Sequence, residues 1–522
     1  MKTRNRWTVG LILILTLAAL GGAQDKPKVL SLSLEDAIAQ TLQHNLGVAI
    51  QVLNPQLSET SVASAQEKFL PTFSLGASHQ YTNSPSYSFL ESSGSVVNKT
   101  DNYTFRGSES LPFGGTLSLS ATAYKTNSSA LYQSVNPRFG TTLAFNFTQP
   151  LLRNFGYDIS RYNILVAKGN LTASDDQLKQ SIADTIYSVE SAYWSLVYTI
   201  DNLRVRQQSV QLAKDLLDKN QRSVEIGTLA PLEILSAQAE VATREADLIQ
   251  AETQVKNAED QLKVLLNLPE DEARAIESVK PLDAPPSEER KVDLDDALAT
   301  ALQLRPDLAA TKIGVDIQAL AVRYQRNQVL PDLNLSASFS GSGLSGTQLI
   351  YQDDNPLTGI VIATIPGGVS GALKDSLRFK YPNWSLGLTL NIPIANIVSQ
   401  ANYLQAKVGL RQQMLAFENQ KQQLYLEIKN AVRAVESNFK RINAYRVARE
   451  LAEQKLAAEE EKLSLGQSTN YVVLTYQRDL ADARVSELNA IVAYSVSLAA
   501  LDHSMGTSLR NRNVQLSDFF KQ

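Results

Sequence analysis

The sequence predicts a mixed α/β membrane protein built by internal duplication, in which short strands of a β-barrel shared between chains alternate with very long coiled-coil helices. Three observations carry that prediction. The chain repeats its own landmarks in order, its strand segments pair an apolar face with a small polar one, and its helices hold a heptad seam over many turns.

The N-terminus sets the compartment. Lys2, Arg4 and Arg6 precede an almost wholly apolar run from Val9 to Leu20, and Gly21, Gly22 and Ala23 follow. Charge, apolar core and small residues in that order make a secretory signal peptide over residues 1–23. Cleavage after Ala23 takes the formal net charge from −4 to about −7, so nothing in the overall charge attracts nucleic acid. The chain has no cysteine, which excludes a disulfide framework, thiolate chemistry and lipidation on cysteine. No later run is long and apolar enough for a spanning helix, but barrel strands alternate and escape that test.

The duplication is read from residues alone. Ser33-Leu34-Glu35-Asp36-Ala37-Ile38 returns as Asp293-Leu294-Asp295-Asp296-Ala297-Leu298, and Leu70-Pro71 returns as Leu330-Pro331. Phe147-Thr148-Gln149-Pro150-Leu151 answers Leu390-Asn391-Ile392-Pro393-Ile394, and Gly227 with Ile234-Leu235 answers Gly466 with Val473-Leu474. The order is kept while the interval shrinks, as one duplication followed by loop deletions leaves it. A first repeat over residues 24–285, a second over 286–506 and a C-terminal tail over 507–522 follow.

Each repeat opens with a helix behind a Ser33-x-x-Asp36 or Asp293-x-x-Asp296 cap, expected in the second repeat over about 295–329. Pro71 and Pro331 close these helices. Period-two alternation then begins: Phe73, Leu75 and Ala77 against Thr72, Ser74 and Gly76, and Leu335, Ala337 and Phe339 against Asn334, Ser336 and Ser338. Strands are expected at about 72–82 and within 103–148, and again at about 332–340 and 383–391. Between them, Asn102 to Ser110 and Thr116 to Tyr124 both alternate around Leu111-Pro112-Phe113-Gly114-Gly115. That stretch is either an additional hairpin or one bent strand with irregular flanks. In the long loop of the second repeat, the apolar run 357–366 either covers the outer mouth as a lid or packs against a neighbouring loop.

Long helices are expected at about 157–226 and 397–465, with return helices at about 229–267 and 468–504. Ile182, Ile186, Val189, Tyr193, Leu196, Ile200 and Leu203 follow steps of four and three, as do Leu424, Ile428, Ala431, Val435, Asn438, Ile442 and Tyr445. Such a seam means helices packed as coiled coils. About 70 residues rising about 1.5 Å each make a rod of roughly 100 Å, which no compact globular core requires. The strands have the length and two-sidedness of transmembrane barrel strands. About four per chain cannot close a barrel whose smallest examples have about eight, so the barrel must be shared between subunits.

These residues resemble the TolC-like outer membrane efflux protein family, the outer membrane factors, over nearly the whole chain from Ser33 to about Gly506. The duplicated helix starts, the Leu-Pro strand starts and Phe147 to Leu152 carry the likeness, and the most specific segment is Gly227 to Gln238, Gly-Thr-Leu-Ala-Pro-Leu-Glu-Ile-Leu-Ser-Ala-Gln. The resemblance implies a homotrimer giving four strands per chain to a twelve-strand barrel in outer-membrane lipid, with a helical tunnel in the periplasm. It places the turns at Gly227 and Gly466 at the periplasmic tip, where the groove receives a periplasmic adaptor protein. The matching positions are Ser223, Val224, Glu225, Ile226, Gly227 and Thr228, and Ser464, Leu465, Gly466, Gln467 and Ser468. Where members of the family narrow the tunnel with aspartates held by an arginine, this chain has Val472 and Thr475, with Ser468 at the arginine's place. A constriction would use Val472 as an apolar ring or Glu233, whose carboxylates near a threefold axis would attract cations; on the outer face Glu233 would be merely solvated.

No catalytic, cofactor or metal site is expected. His44, His79 and His503 are the only histidines and stand in unrelated contexts, and Gly114-Gly115 and Gly367-Gly368 lack the Lys-Ser/Thr of a phosphate loop. The expected function is a passive channel-tunnel, not an enzyme, exporting small molecules or proteins within a tripartite efflux pump or type I secretion system energised by an inner-membrane transporter. The alternative is an envelope-spanning structural or adhesive protein of the same shape.

Overall fold

The computed structural model describes residues 28–88 and 90–515; the expected signal peptide lies outside them, as does the end of the expected tail. In chain order the elements are β1 (Lys28–Leu32), α1 (Leu34–His44), α2 (Leu46–Glu67), β2 (Thr72–Pro85), β3 (Ser95–Ser110), β4 (Thr116–Ser128), β5 (Val135–Pro150), α3 (Tyr157–Ser160), α4 (Tyr162–Glu225), α5 (Leu232–Leu266), α6 (Glu270–Ala275) and β6 (Ile276–Pro281). Then follow α7 (Leu294–Leu304), α8 (Pro306–Gln328), β7 (Asp332–Tyr351), β8 (Val361–Ile365), α9 (Val369–Leu377), β9 (Tyr381–Asn391), α10 (Ile397–Ser464), α11 (Asn470–Ser504) and α12 (Ser508–Asn511).

Local chemistry sets the boundaries. Ser33 caps α1 by accepting from the Asp36 amide at 3.1 Å, and Asp293 caps α7 by accepting from Asp295 and Asp296 at 2.9 and 3.1 Å. The helix expected over 295–329 is two helices. Pro306 at the first position of α8 forces the residue before it out of the helical region, and Arg305 is extended at φ −65°, ψ 115°. The first repeat breaks at the matching place, Asn45 (φ −66°, ψ 121°). Among the described residues, no helix is long and apolar enough to cross a membrane.

The chain divides into two units. One comprises the described part of residues 1–45 with 189–287 and 442–492. Here β1 and β6 form a parallel pair, Leu30 beside Val279, which local sequence pattern did not reveal. Tyr193, fully buried, seals the joint: its hydroxyl donates to Asp283 at 2.8 Å and accepts from the Leu282 and Asp283 amides, both at 3.1 Å. Burial, followed by the nearby Asp283 carboxylate, pushes the phenol up to about 12. In the hairpin region, Leu216, Leu456, Val473, Leu474 and Leu480 from α4, α10 and α11 make one apolar cluster.

The other unit comprises residues 46–188, 288–441 and 493–522 as far as described. Its sheet runs β2-β3-β4-β5-β7-β8, with β9 also on β7. The expected four strands are present as β2, β5, β7 and β9, and the ambiguous stretch 102–124 is a hairpin, β3–β4, lying between β2 and β5. The strand expected at 332–340 continues to Tyr351. Half of the apolar run 357–366 forms β8, antiparallel to β7 with Gln348 beside Ile365. After it, α9 folds back onto the sheet, where the Thr141 hydroxyl donates to Ser376 at 3.0 Å. Gly341 and Gly343 make room, since a Cβ on Gly341 would meet the Phe379 ring at 2.6 Å.

Helices of this unit pack closely on one another. Gly169 of α4 accepts the Ile317 side chain of α8, and Tyr162 stacks on Tyr324 with ring centres 4.4 Å apart. Arg305 pairs with Asp307 at 2.7 Å and Glu427 at 2.8 Å. Burial pushes the Asp307 carboxyl up, but the Arg305 hydrogen bond and charge outweigh it and hold the group below its ordinary value.

Candidate functional site

The two tip turns are built alike. At the end of α4 the Gly227 amide donates to Val224 O at 3.0 Å and the Thr228 amide to Ser223 O at 2.9 Å. At the end of α10 the Gly466 amide donates to Leu463 O at 3.1 Å and the Gln467 amide to Lys462 O at 2.8 Å. Both are Schellman closures, which need a residue of positive φ just past the helix. Gly227 has φ +77° and Gly466 φ +75°, with open space around each, so backbone conformation rather than crowding demands glycine.

Around these turns the predicted tip residues are at the surface. Ile226 is 75% exposed and Leu465 66%, apolar side chains held in solvent beside small polar neighbours. Gly227, Thr228, Ser464, Gly466 and Gln467 are exposed as well, while Ser223, Val224 and Ser468 are half-buried. Ser468 donates to Glu459 at 2.6 Å. That hydrogen bond, then the one from Lys462, holds the Glu459 carboxyl below its ordinary value.

The expected constriction residues lie at the starts of α5, for Glu233, and of α11, for Val472 and Thr475. Glu233 is half-buried and accepts from Asn470 at 3.3 Å, which ties the start of α5 to the start of α11, two residues before Val472. Val472 is half-buried. Thr475 is also half-buried, and its hydroxyl is turned back on its own helix, donating to Tyr471 O at 2.8 Å.

Sequence reasoning missed the brace behind the tip. Arg244 of α5 is only 4% exposed. It donates to Ser209 O and Leu474 O at 3.0 Å each, to Gln477 at 3.2 Å and to Glu240 at 3.0 Å, joining α4, α5 and α11. A signal was available: Ala237, Val241, Arg244, Ala251, Val255, Ala258 and Leu262 keep the three-four spacing of the α5 seam, and all are buried. A charged residue on a seam must bring its own partners.

The sheet supplies the second part of the site. Leu119, Phe145, Phe339 and Trp384 form a row across β4, β5, β7 and β9, while the alternate face carries Ser120, Ala144, Ser340 and Asn383 in register. The first face is apolar, with α9 lying over its Thr141, Gly341 and Gly343 end, and the other is small and polar. Among the described residues no group of histidine or carboxylate side chains is placed to hold a metal ion.

The family described as outer membrane efflux protein matches residues 37–268 and 297–507. The outer membrane protein TolC of Escherichia coli K12 is 24% identical over 380 residues, covering 70% of this chain and 69% of that protein. The outer membrane efflux protein BepC of Brucella suis biovar 1 is 23% identical over 367 residues, 70% of this chain and 72% of that one. Among solved structures, the Campylobacter jejuni CmeC outer membrane channel superposes with a TM-score of 0.65 at 14% identity over 99% of each chain. The open state of the Neisseria gonorrhoeae MtrE outer membrane channel gives 0.61 at 18% identity, over 92% of this chain and 90% of that one.

Proposed function

The chain belongs to the outer membrane efflux protein family, an outer-membrane channel with a helical periplasmic extension, and from that premise we propose that three copies form a passive export duct. The duct serves a tripartite efflux pump or a type I secretion system. Its energy comes from an inner-membrane transporter, and a periplasmic adaptor couples the two by docking at the Gly227 and Gly466 turns. A duct performs no bond chemistry. It needs a wall with one face for lipid and one for water, and an end that partners can grip.

The observation that carries this reading is the pair of matched closures with Ile226 and Leu465 exposed beside them. An apolar side chain in solvent at a rigid helix turn gains free energy when a partner helix covers it. Small neighbours such as Ser223, Ser464 and Thr228 let that helix approach closely. Glu233 and Val472, beside the Asn470 contact, are the candidates for narrowing the duct.

The test begins with the purified mature protein in a planar lipid bilayer. A discrete, reproducible conductance from a trimer supports the duct; a folded trimer that inserts without conducting leaves the envelope-spanning alternative. Docking is tested separately with Ile226→Asp/Leu465→Asp, which should abolish export in cells while leaving trimer yield and conductance unchanged. Undiminished export by that variant would remove the adaptor from these turns.

A further inference from the structure

The hairpin β3–β4 changes the wall. We propose that three copies of this chain close a barrel of six strands each, eighteen in all, rather than the twelve implied by the family resemblance, with the free edge of β2 in one copy pairing with the free edge of β9 in the next. The inference rests on the trimeric outer-membrane duct proposed above and concerns how its wall is made.

First, β3 and β4 are wall strands by register and by face. The row Phe73, Gly107, Leu119, Phe145, Phe339, Trp384 crosses all six long strands as direct neighbours, and Leu75, Phe105, Ala121, Leu143 lie one step along it. The opposite face reads Ser74, Arg106, Ser120, Ala144, Ser340, Asn383, and beside it Gly76, Thr104, Thr122, Thr142, Ser342, Tyr381. An appended hairpin has no reason to continue the apolar-out, polar-in alternation of its neighbours. A wall hairpin must, because a one-residue slip would turn Phe105 and Leu119 to water and Arg106 and Ser120 to lipid.

Second, the hairpin spans the height of the sheet. β3 pairs with β2 from Thr72–Ser108 to Pro85–Ser95, and β4 pairs with β5 from Thr116–Thr148 to Thr126–Arg138. Its turn is fastened at the end where β5 gives way to α3. The Gly114 amide donates to Leu111 O at 2.9 Å, the Gly156 amide to Phe113 O at 3.4 Å, and the Ser160 hydroxyl to Pro112 O. Gly114, at φ +99°, fits where a Cβ would run into the Asn154 carbonyl.

Third, both edges of the six-strand sheet demand a partner, and a second copy meets the demand. Among the described residues β2 pairs only with β3, and β9 only with β7. Backbone groups along an open edge cannot be left unpaired in lipid. Every neighbouring pair among the six is antiparallel, so β2 and β9 run in opposite directions and the edge of one copy continues the alternation of the next. Both edge strands also keep the same two faces, Phe73, Leu75 and Ala77 on β2 and Trp384, Leu386, Leu388 and Leu390 on β9. Half again as many strands widen the ring by about half, since barrel diameter grows roughly in proportion to strand number.

Spin labels on single cysteines test this cleanly, because the natural chain has none. The variants are Phe105→Cys and Ala121→Cys on the apolar face, Thr104→Cys and Thr122→Cys on the polar face, and Leu388→Cys on β9 as reference, each reconstituted as a trimer in phosphatidylcholine–phosphatidylglycerol vesicles. Phe105 and Ala121 border the hollow beside Leu373 and Leu377 of α9, so the expected result is an oxygen-over-nickel-chelate preference of the same sign at 105 and 121 as at 388, with the reverse preference at 104 and 122. If all four β3–β4 labels favour the nickel chelate while position 388 stays in lipid, the hairpin lies outside the wall and the inference is overturned with the duct intact. If position 388 also reads as water-exposed, the barrel reading itself falls. Electron cryomicroscopy of the detergent-extracted trimer counts the strands independently: eighteen supports the proposal and twelve refutes it.

Discussion

At the turns of the two long hairpins, α4–α5 and α10–α11, the backbone solution is the same: a Schellman closure on a glycine of positive φ. Behind the turns the hairpins differ. α5 buries Arg244 among carbonyl and amide oxygens of α4 and α11 and the Glu240 carboxylate of its own helix, whereas α11 carries Arg484 near the surface, where it reaches Glu453 at 2.9 Å and Gln208 at 3.2 Å. Duplicated sequence thus retains what backbone geometry dictates, because no other residue meets that demand cheaply. Side-chain bracing diverges, because the two return helices face different neighbours.

The sharpest test of that difference is a matched pair of substitutions. Arg244→Met removes a buried cation, taking one donor from the Ser209 and Leu474 carbonyls and the Gln477 side chain and the ion-pair partner from Glu240. Losing one partner from such a buried network costs about 3–5 kcal/mol. Arg484→Met, at a partly exposed pair, should cost under about 1 kcal/mol. Hydrogen exchange at the amides around Ser209 and Leu474 reads both, and equal protection in the two variants would mean that Arg244 braces nothing.

Next come the glycines themselves, where the two hairpins should respond alike. Gly227→Ala and Gly466→Ala each place a Cβ in the left-handed region, at a cost of about 1–2 kcal/mol. Asparagine at either position should cost less, since it tolerates that conformation. Limited proteolysis at the tip is the measurement. A large difference between the two alanine variants would show that the surroundings, and not φ, select glycine at one of them.

The same contrast explains what could be read from sequence. The Gly227 and Gly466 turns, the Pro71 and Pro331 strand starts and the Ser33 and Asp293 caps are local, and each was legible because a few adjacent residues determine the conformation. The alternation of Phe73 to Ala77 and of Leu335 to Phe339 was legible for the same reason. The β1–β6 pair was not, because a strand of five residues acquires its partner from far along the chain. The Glu233–Asn470 contact and the partners of Arg244 are likewise choices of tertiary packing. The break at Arg305 was legible and overlooked, since Pro306 announces it.

Glu233 offers a smaller and more specific effect. Glu233→Gln keeps an oxygen for Asn470 to donate to and removes only the charge. If three such carboxylates border the duct, the variant should lose part of any cation preference, read as a shift of reversal potential under a salt gradient, with little change in stability. Asn470→Ala removes the contact and keeps the charge, so it should leave the preference in place. A reversal potential unmoved by Glu233→Gln would assign this residue to hairpin packing alone.

Acid should separate the two hairpins by the smallest margin. Glu453 of α10 is held below its ordinary value by the Arg484 hydrogen bond, against the upward push of partial burial and with Arg449 adding to the lowering. A carboxylate lowered on folding contributes stability that is complete above its unfolded value and is lost as pH falls through the lower folded one. Amides around Glu453 should therefore lose protection only below about pH 4, by well under 1 kcal/mol at this partly exposed site, and lose it also with added salt. The Arg244 brace should resist both treatments, because the Ser209 and Leu474 carbonyls and the Gln477 amide do not titrate and are shielded from salt. Hydrogen exchange across a pH series, corrected for intrinsic rates, distinguishes the cases: parallel loss in both hairpins would mean that the Arg244 brace does not rest on these uncharged oxygens.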